Sequence, residues 1–568
     1  MSEFAAASPR PSLERAASSS ASKGGAVDAE KQEILSGPVV VGEVKGGEEL
    51  SRQMKARHVA MISIGGAIGT GLFLGTATAL RNGGPLGLLL GYSIMGMIVY
   101  AVMVALGEMS SHLPIPGGTV TLAARFVDPC FGWCTGWWYF YDWALALPAE
   151  LSASAVLISY WDSKTSPAVY ILVTGIIANL INFGGARLYG EAEFWFAAIK
   201  ILTIVGLIIL GVVLTAGGGP SGEVIGGKYW RDPGAFVQLY GIPGALGRFL
   251  GFWTVLCQAA YSYIGAEIVA LAAAEAKNPK KTIPSAIRKV WIRIIVFYVL
   301  SVLMIGLLVS SSDPRLNLST GTAASAPFVI AIKDSGIKVL PSIINAALLT
   351  SAWSAASSDT YTASRAIYGL ALQGNAPRIF ARTNSWGLPW VAVIFSSAFA
   401  LLAFMAVGTA SAGKVFSWLA NMTSVAGLIT WWAICLTYIR FYHGLKAQGI
   451  ERNSKNFAYL SPLQPYLTYF AISMISIILF FSKFQVFITG HWDTADFVTS
   501  YLPIILFPLA YATLYVYRRF FRQQPRHMWS PVPLTELDFY SGSRSTDEEE
   551  EEVTKSQTKM GKIADIFL

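Results

Sequence analysis

The chain has 568 residues, of which 54% are hydrophobic and only 13% charged, with a net charge of +8. Soluble domains carry about 25% charged residues, so this composition excludes a soluble globular protein. The apolar residues fall in runs of roughly 20, the length a helix needs to cross hydrocarbon, and the basic residues sit in short loops without a stripe of interleaved aromatics, so the expected partner is the lipid bilayer and no nucleic acid.

Residues 1–50 are rich in Ala, Ser, Gly, Lys and Glu and lack apolar periodicity, which predicts a disordered N-terminal tail. The opening stretch has no apolar core of a cleavable signal peptide, so the first span is expected to direct insertion. That span, 59–80, holds Gly65, Gly66, Gly69 and Gly71 in ISIGGAIGTGLF. Each glycine disfavours a continuous helix by about 1 kcal/mol against Ala. Close packing through small residues is one reading. A broken helix is the other: it would aim free amide N–H groups at an anion and free carbonyls at an ammonium, the two ends of a zwitterion.

Spans follow at 86–108, 132–160, 168–186 and 192–216. An ionisable side chain inside a span costs roughly 2.5–3.5 kcal/mol on insertion scales and is a functional candidate by default. The third span carries Asp142 near its start and Glu150 further in, and the fifth carries Lys200. The sixth span, 249–274, shows a second interruption in AAYSYIGAEIVALAAAE, with Tyr261, Ser262, Tyr263 and Gly265, and Glu267 just beyond. Interrupted first and sixth spans point to an inverted five-plus-five repeat around a central site. A carboxylate out of water can load and release a proton, which makes Glu150 and Glu267 candidates for coupling. A fixed ammonium at Lys200 would take the place of a sodium ion; a lysine snorkelling to the membrane face is the alternative.

The remaining spans are 290–311, 339–364, 389–408, 412–439, 466–488 and 498–519, twelve in all, with Asp359 in the eighth and Ser417, Asn421, Thr423 and Ser424 in the tenth. An even count puts both ends on one side, and the loop Lys/Arg bias places them in the cytoplasm. The organisation expected is therefore a tail at 1–50, a twelve-helix domain at 51–522 and a C-terminal tail at 523–568. That last tail, with the acidic run Asp547 to Glu552, is expected to be solvated. The four cysteines (Cys130, Cys134, Cys257, Cys435) and five histidines show no metal-ligand spacing. There is no phosphate loop or nucleophile–base pair, so no catalytic residue, metal or cofactor is expected and the chain is not read as an enzyme.

The stretches GGAIGTGLFLGTATALRNGGP, GEMSSHLPIPGG, RFVDPCFGWCTGWWYFYDW, EAKNPKKTIPSAIRKV, YTASRAIYGLALQGNAPRIF and ITWWAICLTYIRFYHGLKAQG, with TELDFYSGSR in the tail, resemble the fungal amino-acid permeases of the amino acid–polyamine–organocation superfamily. The resemblance implies an all-α membrane protein of twelve helices, with spans one to five and six to ten as inverted repeats. It also implies proton-coupled uptake of amino acids across the plasma membrane by alternating access. On its pattern Ala67, Ile68, Gly69, Thr70 and Gly71 hold the α-carboxylate. Tyr261, Ser262, Tyr263 and Gly265 hold the amine, with Tyr263 where relatives place an aromatic gate. Glu150, Lys200 and Glu267 serve coupling or gating. Where relatives often have Asn-Ser before the span-eight tyrosine, this chain has Ser357, Ser358 and Asp359, which leaves the charge class of the cargo open. A broad neutral range is the expectation, with a restricted acidic or basic range, or an amino-acid sensor on the same scaffold, as alternatives. The tails are expected to meet trafficking or ubiquitination machinery.

Overall fold

The computed structural model describes residues 61, 68–115, 117–268, 279–317, 326–407, 411–453 and 457–541, with the side chains of 279–282 left out. All of these belong to the larger of two compact units, Glu48–Leu568. The N-terminal tail, Gly65, Gly66, Ala67 and the acidic C-terminal run lie outside the described residues.

Every regular element among the described residues is helical. A π-helical turn, Gly71–Gly75, leads into α1 (Thr76–His112). Then come α2 (Gly118–Phe126), α3 (Pro129–Ile158), α4 (Pro167–Phe183), α5 (Gly185–Thr215) and α6 (Gly244–Tyr263). The second half runs through α7 (Pro279–Arg288), α8 (Val290–Arg293), α9 (Leu300–Leu308), α10 (Pro327–Asp334), α11 (Leu340–Leu372), α12 (Trp390–Ala398), α13 (Ala412–Ala447), α14 (Tyr466–Phe480) and α15 (Thr494–Val516).

Local chemistry sets several boundaries. Pro129 at the first turn of α3 needs no donor there, and the Asp128 carboxylate caps the helix by accepting from the Phe131 amide at 2.8 Å. Within α1, Gly84 leaves the helix at φ +75° and Pro85 follows. A Cβ at Gly84 would sit 2.8 Å from the Ala235 carbonyl, so only glycine fits. This kink divides α1 where the sequence separates the first two spans, between 80 and 86.

Six helical stretches among the described residues are long and apolar enough to cross a membrane, Gly71–His112 and Ala412–Ala447 among them, and α4 and α14 are shorter apolar helices. The expected third, sixth and eighth spans are helices of 30, 20 and 33 residues but fall outside that set. Their polar content is the reason. Helix α3 buries Asp142 and Glu150, and α11 buries Ser351, Ser354, Ser357, Ser358, Asp359 and Arg365. The outer helices have the opposite pattern. Helix α5 exposes Trp195, Leu202, Ile209 and Val212 while burying the stripe Glu193, Ala197, Lys200, Ile204, Leu207 and Gly211. Polar residues inside and bulky apolar residues outside are the arrangement a lipid solvent selects.

One expectation is corrected. Residues 525–541, grouped with the solvated tail on sequence, pack against the helical body. The Val532 amide donates to the Val127 carbonyl at 2.9 Å, and Gln448 Nε2 donates to the Leu537 carbonyl at 2.8 Å. Phe539 is buried between Phe126 and Phe441, with ring centroids 5.4 and 5.5 Å away. The charged neighbours hid two apolar anchors, Leu537 and Phe539, whose burial outweighs the solvation of the residues between them.

Candidate functional site

At the two glycine-bearing stretches the described residues show one helix start and one helix end. Ile68 and Gly69 are non-helical, and the helix starts at Thr70. Helix α6 stops at Tyr263. A turn covers Ile264–Glu267, with Gly265 at φ +97°, a conformation that excludes most L-residues. Within this turn the Tyr263 carbonyl accepts from the Ala266 amide at 3.3 Å and the Gly265 carbonyl from the Ile268 amide at 3.2 Å.

The two breaks meet. A Cβ on Gly71 would lie 2.8 Å from Ser262 Cα and 2.9 Å from Tyr261 Cδ1, so backbone rests on backbone. Glu150 of α3 ties them together. Its Oε1 accepts from the Thr70 hydroxyl at 2.8 Å and from the Tyr261 hydroxyl at 3.0 Å. Gly69 faces the same oxygen, at 3.3 Å from where a Cβ would be. From α11, the Ser351 hydroxyl donates to the Ile68 carbonyl at 3.4 Å.

Tyr263 turns away from this contact. Its hydroxyl donates to the Tyr92 carbonyl at 2.9 Å and its ring stacks on Tyr298 with centroids 4.1 Å apart. Tyr92, in turn, shares a hydrogen bond of 2.8 Å with Ser262. Of the two sixth-span tyrosines, Tyr261 is the one that reaches Glu150. Glu267 ends the break and accepts from the Trp431 indole N–H of α13 at 3.2 Å. Lys200 is buried and faces Glu193, Nζ to Oε1 at 3.7 Å, while Glu193 Oε2 accepts from Ser354 at 2.6 Å.

Sequence reasoning left out Glu193 and Tyr92. Glu193 carried a signal: it is a charge inside the fifth span, seven residues before Lys200, so two helical turns put both on one stripe. Tyr92 carried none, because a tyrosine inside LLLGYSIMG looks like any apolar filler until its partner Ser262 is known. Of the tenth-span polar residues, Ser417 and Ser424 bond their own backbone, at Gly413 and Ala420. Among the described residues no group of His, Cys, Asp and Glu is arranged to hold a metal ion.

Around the breaks the interior holds five carboxylates, Asp142, Glu150, Glu193, Glu267 and Asp359, each at most 5% exposed. The buried cations near them are Lys200 and, towards one end, Arg365, stacked 3.7 Å over Tyr361. Buried charges are normally paired or hydrogen-bonded. Here one oxygen of Glu150, Glu267 and Asp359, and both of Asp142, have no hydrogen-bond partner among the described residues. Such a centre can exchange protons or hold cationic groups.

Apolar outward faces around a polar interior define a multi-pass membrane protein. Comparison with known proteins gives its family. The family model described as amino acid permease matches residues 58–527. The dicarboxylic amino acid permease of Saccharomyces cerevisiae is 39% identical over 509 residues, covering 89% of this chain and 82% of that protein. The proline-specific permease of Emericella nidulans is 40% identical over 516 residues, covering 89% and 91%. The general amino-acid permease of S. cerevisiae is 41% identical over 504 residues, covering 88% and 81%. The chain belongs to the amino acid permease family, a family of transporters rather than enzymes.

Proposed function

We propose that this permease imports amino acids across the plasma membrane by proton symport, alternating access to a site between its first and sixth spans, with both termini cytoplasmic. The observation that carries the reading is the seating of Gly71 on Ser262, with Glu150 clasping both breaks through Thr70 and Tyr261. In the proposed mode the amides from Ala67 to Gly71 take the α-carboxylate. The carbonyls ending α6, from Tyr261 to Gly265, take the α-ammonium. The clasp opens to admit the substrate and re-forms behind it.

Five buried carboxylates against few cations support proton coupling. Moving such an interior between two faces of a membrane is favourable only when protons or a cationic cargo balance its charge. The proposed architecture is the twelve-helix inverted repeat within residues 51–522, flanked by tails at 1–50 and 523–568 that trafficking or ubiquitination machinery engages. The proposed range is broad and neutral. The names of the relatives span dicarboxylic, proline, lysine and general permeases, so a shared scaffold serves several ranges.

The test is uptake of labelled amino acids into yeast lacking its own permeases. The expected result is uptake that collapses with a protonophore and is competed by many neutral amino acids. Uptake indifferent to the pH gradient would remove proton coupling, and competition by only acidic or only basic amino acids would remove the broad range. Glu150→Gln is expected to lower uptake by the worth of a charged hydrogen bond, about 1.5–3 kcal/mol, or one to two orders of magnitude in rate.

A further inference from the structure

Helix α11 is continuous from Leu340 to Leu372, and its contacts fix which way each residue faces. Ser357 and Thr360 face α4: Ser357 accepts from Asn182 Nδ2 at 3.2 Å, and Thr360 donates to Asn179 Oδ1 at 3.1 Å. Ser354 and Ser358 face α5, where Ser354 donates to Glu193 at 2.6 Å and Ser358 accepts from the Tyr189 hydroxyl at 3.0 Å. Ser351 and Ala355 face the first span. The Ser351 hydroxyl donates to the Ile68 carbonyl at 3.4 Å, and Ala355 Cβ is 3.8 Å from where a Cβ on Gly69 would stand. Thr350, Thr362 and Ser364 bond carbonyls of their own helix. Every serine and threonine from Thr350 to Ser364 thus has a hydrogen bond.

Asp359 is the exception. It is 5% exposed, and its Oδ2 has no hydrogen-bond partner among the described residues. The helix sets its direction. Successive residues turn by about 100°, so Asp359 stands one turn beyond Ala355 and only about 40° round from it, but about 100° from both Ser358 and Thr360. It shares the face turned to the first span rather than those turned to α5 and α4. Side chains four apart on a helix have Cβ atoms about 5–6 Å apart, which puts the Asp359 Cβ no more than about 10 Å from that of a residue at 69. The two buried cations of this interior are turned to other groups. Lys200 faces Glu193, Nζ to Oε1 at 3.7 Å, on the α5 side. Arg365, about 120° round the helix from Asp359, is stacked 3.7 Å over Tyr361.

Buried charges are otherwise paired or hydrogen-bonded. A helix that pairs its hydroxyls and leaves one carboxylate oxygen open, beside the place proposed for the cargo, is built to receive a cation from outside the chain. We propose that Asp359 takes the ammonium or guanidinium group at the end of a basic amino acid's side chain, and so tilts the cargo range towards basic and neutral amino acids and against acidic ones. The inference rests on the transport reading above and names the charge class it favours. With the cargo's backbone at the start of the first-span helix, a long cationic side chain extended along α11 closes the remaining distance and donates to Oδ2. An acidic side chain brings a second carboxylate to the same place, and the two repel.

The test is uptake of labelled lysine, leucine and glutamate by the full chain in yeast lacking its own permeases. The unmodified protein is expected to take up lysine and leucine readily and glutamate poorly. Uptake of none of the three removes the transport reading itself; uptake of leucine without lysine overturns this proposal alone. Asp359→Asn is expected to raise the KM for lysine, relative to that for leucine, by about ten- to a hundred-fold, the worth of a charged hydrogen bond. Asp359→Glu is expected to restore much of the preference. A purely structural role would lower both uptakes together, so an unchanged lysine-to-leucine ratio in Asp359→Asn overturns the proposal. Should Asp359→Asn not fold, the purified unmodified protein is heated with lysine or with norleucine, which has the carbon chain of lysine without its ammonium. Greater stabilisation by lysine supports the assignment; equal or greater stabilisation by norleucine overturns it.

Discussion

A methyl group added at Gly71 would meet Ser262 Cα at 2.8 Å, and that atom belongs to backbone with no rotamer to change. One turn later, a methyl at Gly75 would meet only the Ser262 hydroxyl, at 3.9 Å. Gly71→Ala is therefore expected to cost about 1–3 kcal/mol of stability through overpacking, and to lower uptake with it. Gly75→Ala is expected to stay within about 0.5 kcal/mol. Thermal melts of the detergent-purified variants beside uptake assays separate the two. At this scale the sequence was informative where chemistry is rare. Glycines crowded into an apolar run, and carboxylates within spans, stood out because a continuous helix disfavours the first and hydrocarbon penalises the second. It was uninformative about direction. Nothing in Tyr-Ser-Tyr says that Tyr261 reaches Glu150 while Tyr263 stacks away on Tyr298, since that depends on where α6 stops.

Helix α5 illustrates the next scale. Its buried stripe recurs every three or four residues and delivers Glu193 and Lys200 to the same side, facing the serines of α11. Breaking a buried pair by removing one partner typically costs about 3–5 kcal/mol, because the other charge is left behind. Lys200→Met is expected to fall in that range. The double variant Glu193→Gln with Lys200→Met is expected to recover part of the loss, which a double-mutant cycle on thermal stability would read directly. A double variant no more stable than Lys200→Met alone would make Glu193 irrelevant to the lysine. Apolar periodicity identified the helix, but the pairing was missed because Glu193 sits near the span's end, where an interfacial position is the ordinary expectation. The kink at Gly84 was legible as a boundary between two spans. Its contact with the segment around Ala235 was not, since 151 residues separate them.

For the molecule as a whole, the docked segment 525–541 joins α2, α13 and the end of the chain. Phe539→Ala is expected to cost about 3–5 kcal/mol, the usual penalty for emptying a buried aromatic site. Fluorescence-detected size exclusion after heating would show it. Asp538 secures the same segment. Burial pushes its carboxyl up, but the Ser541 and Tyr540 amides and Arg125 outweigh that and hold it below the ordinary carboxylate range. A group depressed in this way stabilises docking above its unfolded value and loses that contribution as pH falls through the folded one. Docking is thus expected to be indifferent to pH between about 5 and 7 and to weaken only in stronger acid, which melts at several pH values would test.

The seam between the two breaks has an evolutionary corollary. In the proposed mode backbone groups from Ala67 to Gly71 and from Tyr261 to Gly265 hold the part common to every amino acid, so substitutions elsewhere can reshape what surrounds a cargo's variable group without disturbing that hold. Grip and choice are then separate inheritances, and one ancestral framework can give rise to a generalist and to specialists alike by changing only the second.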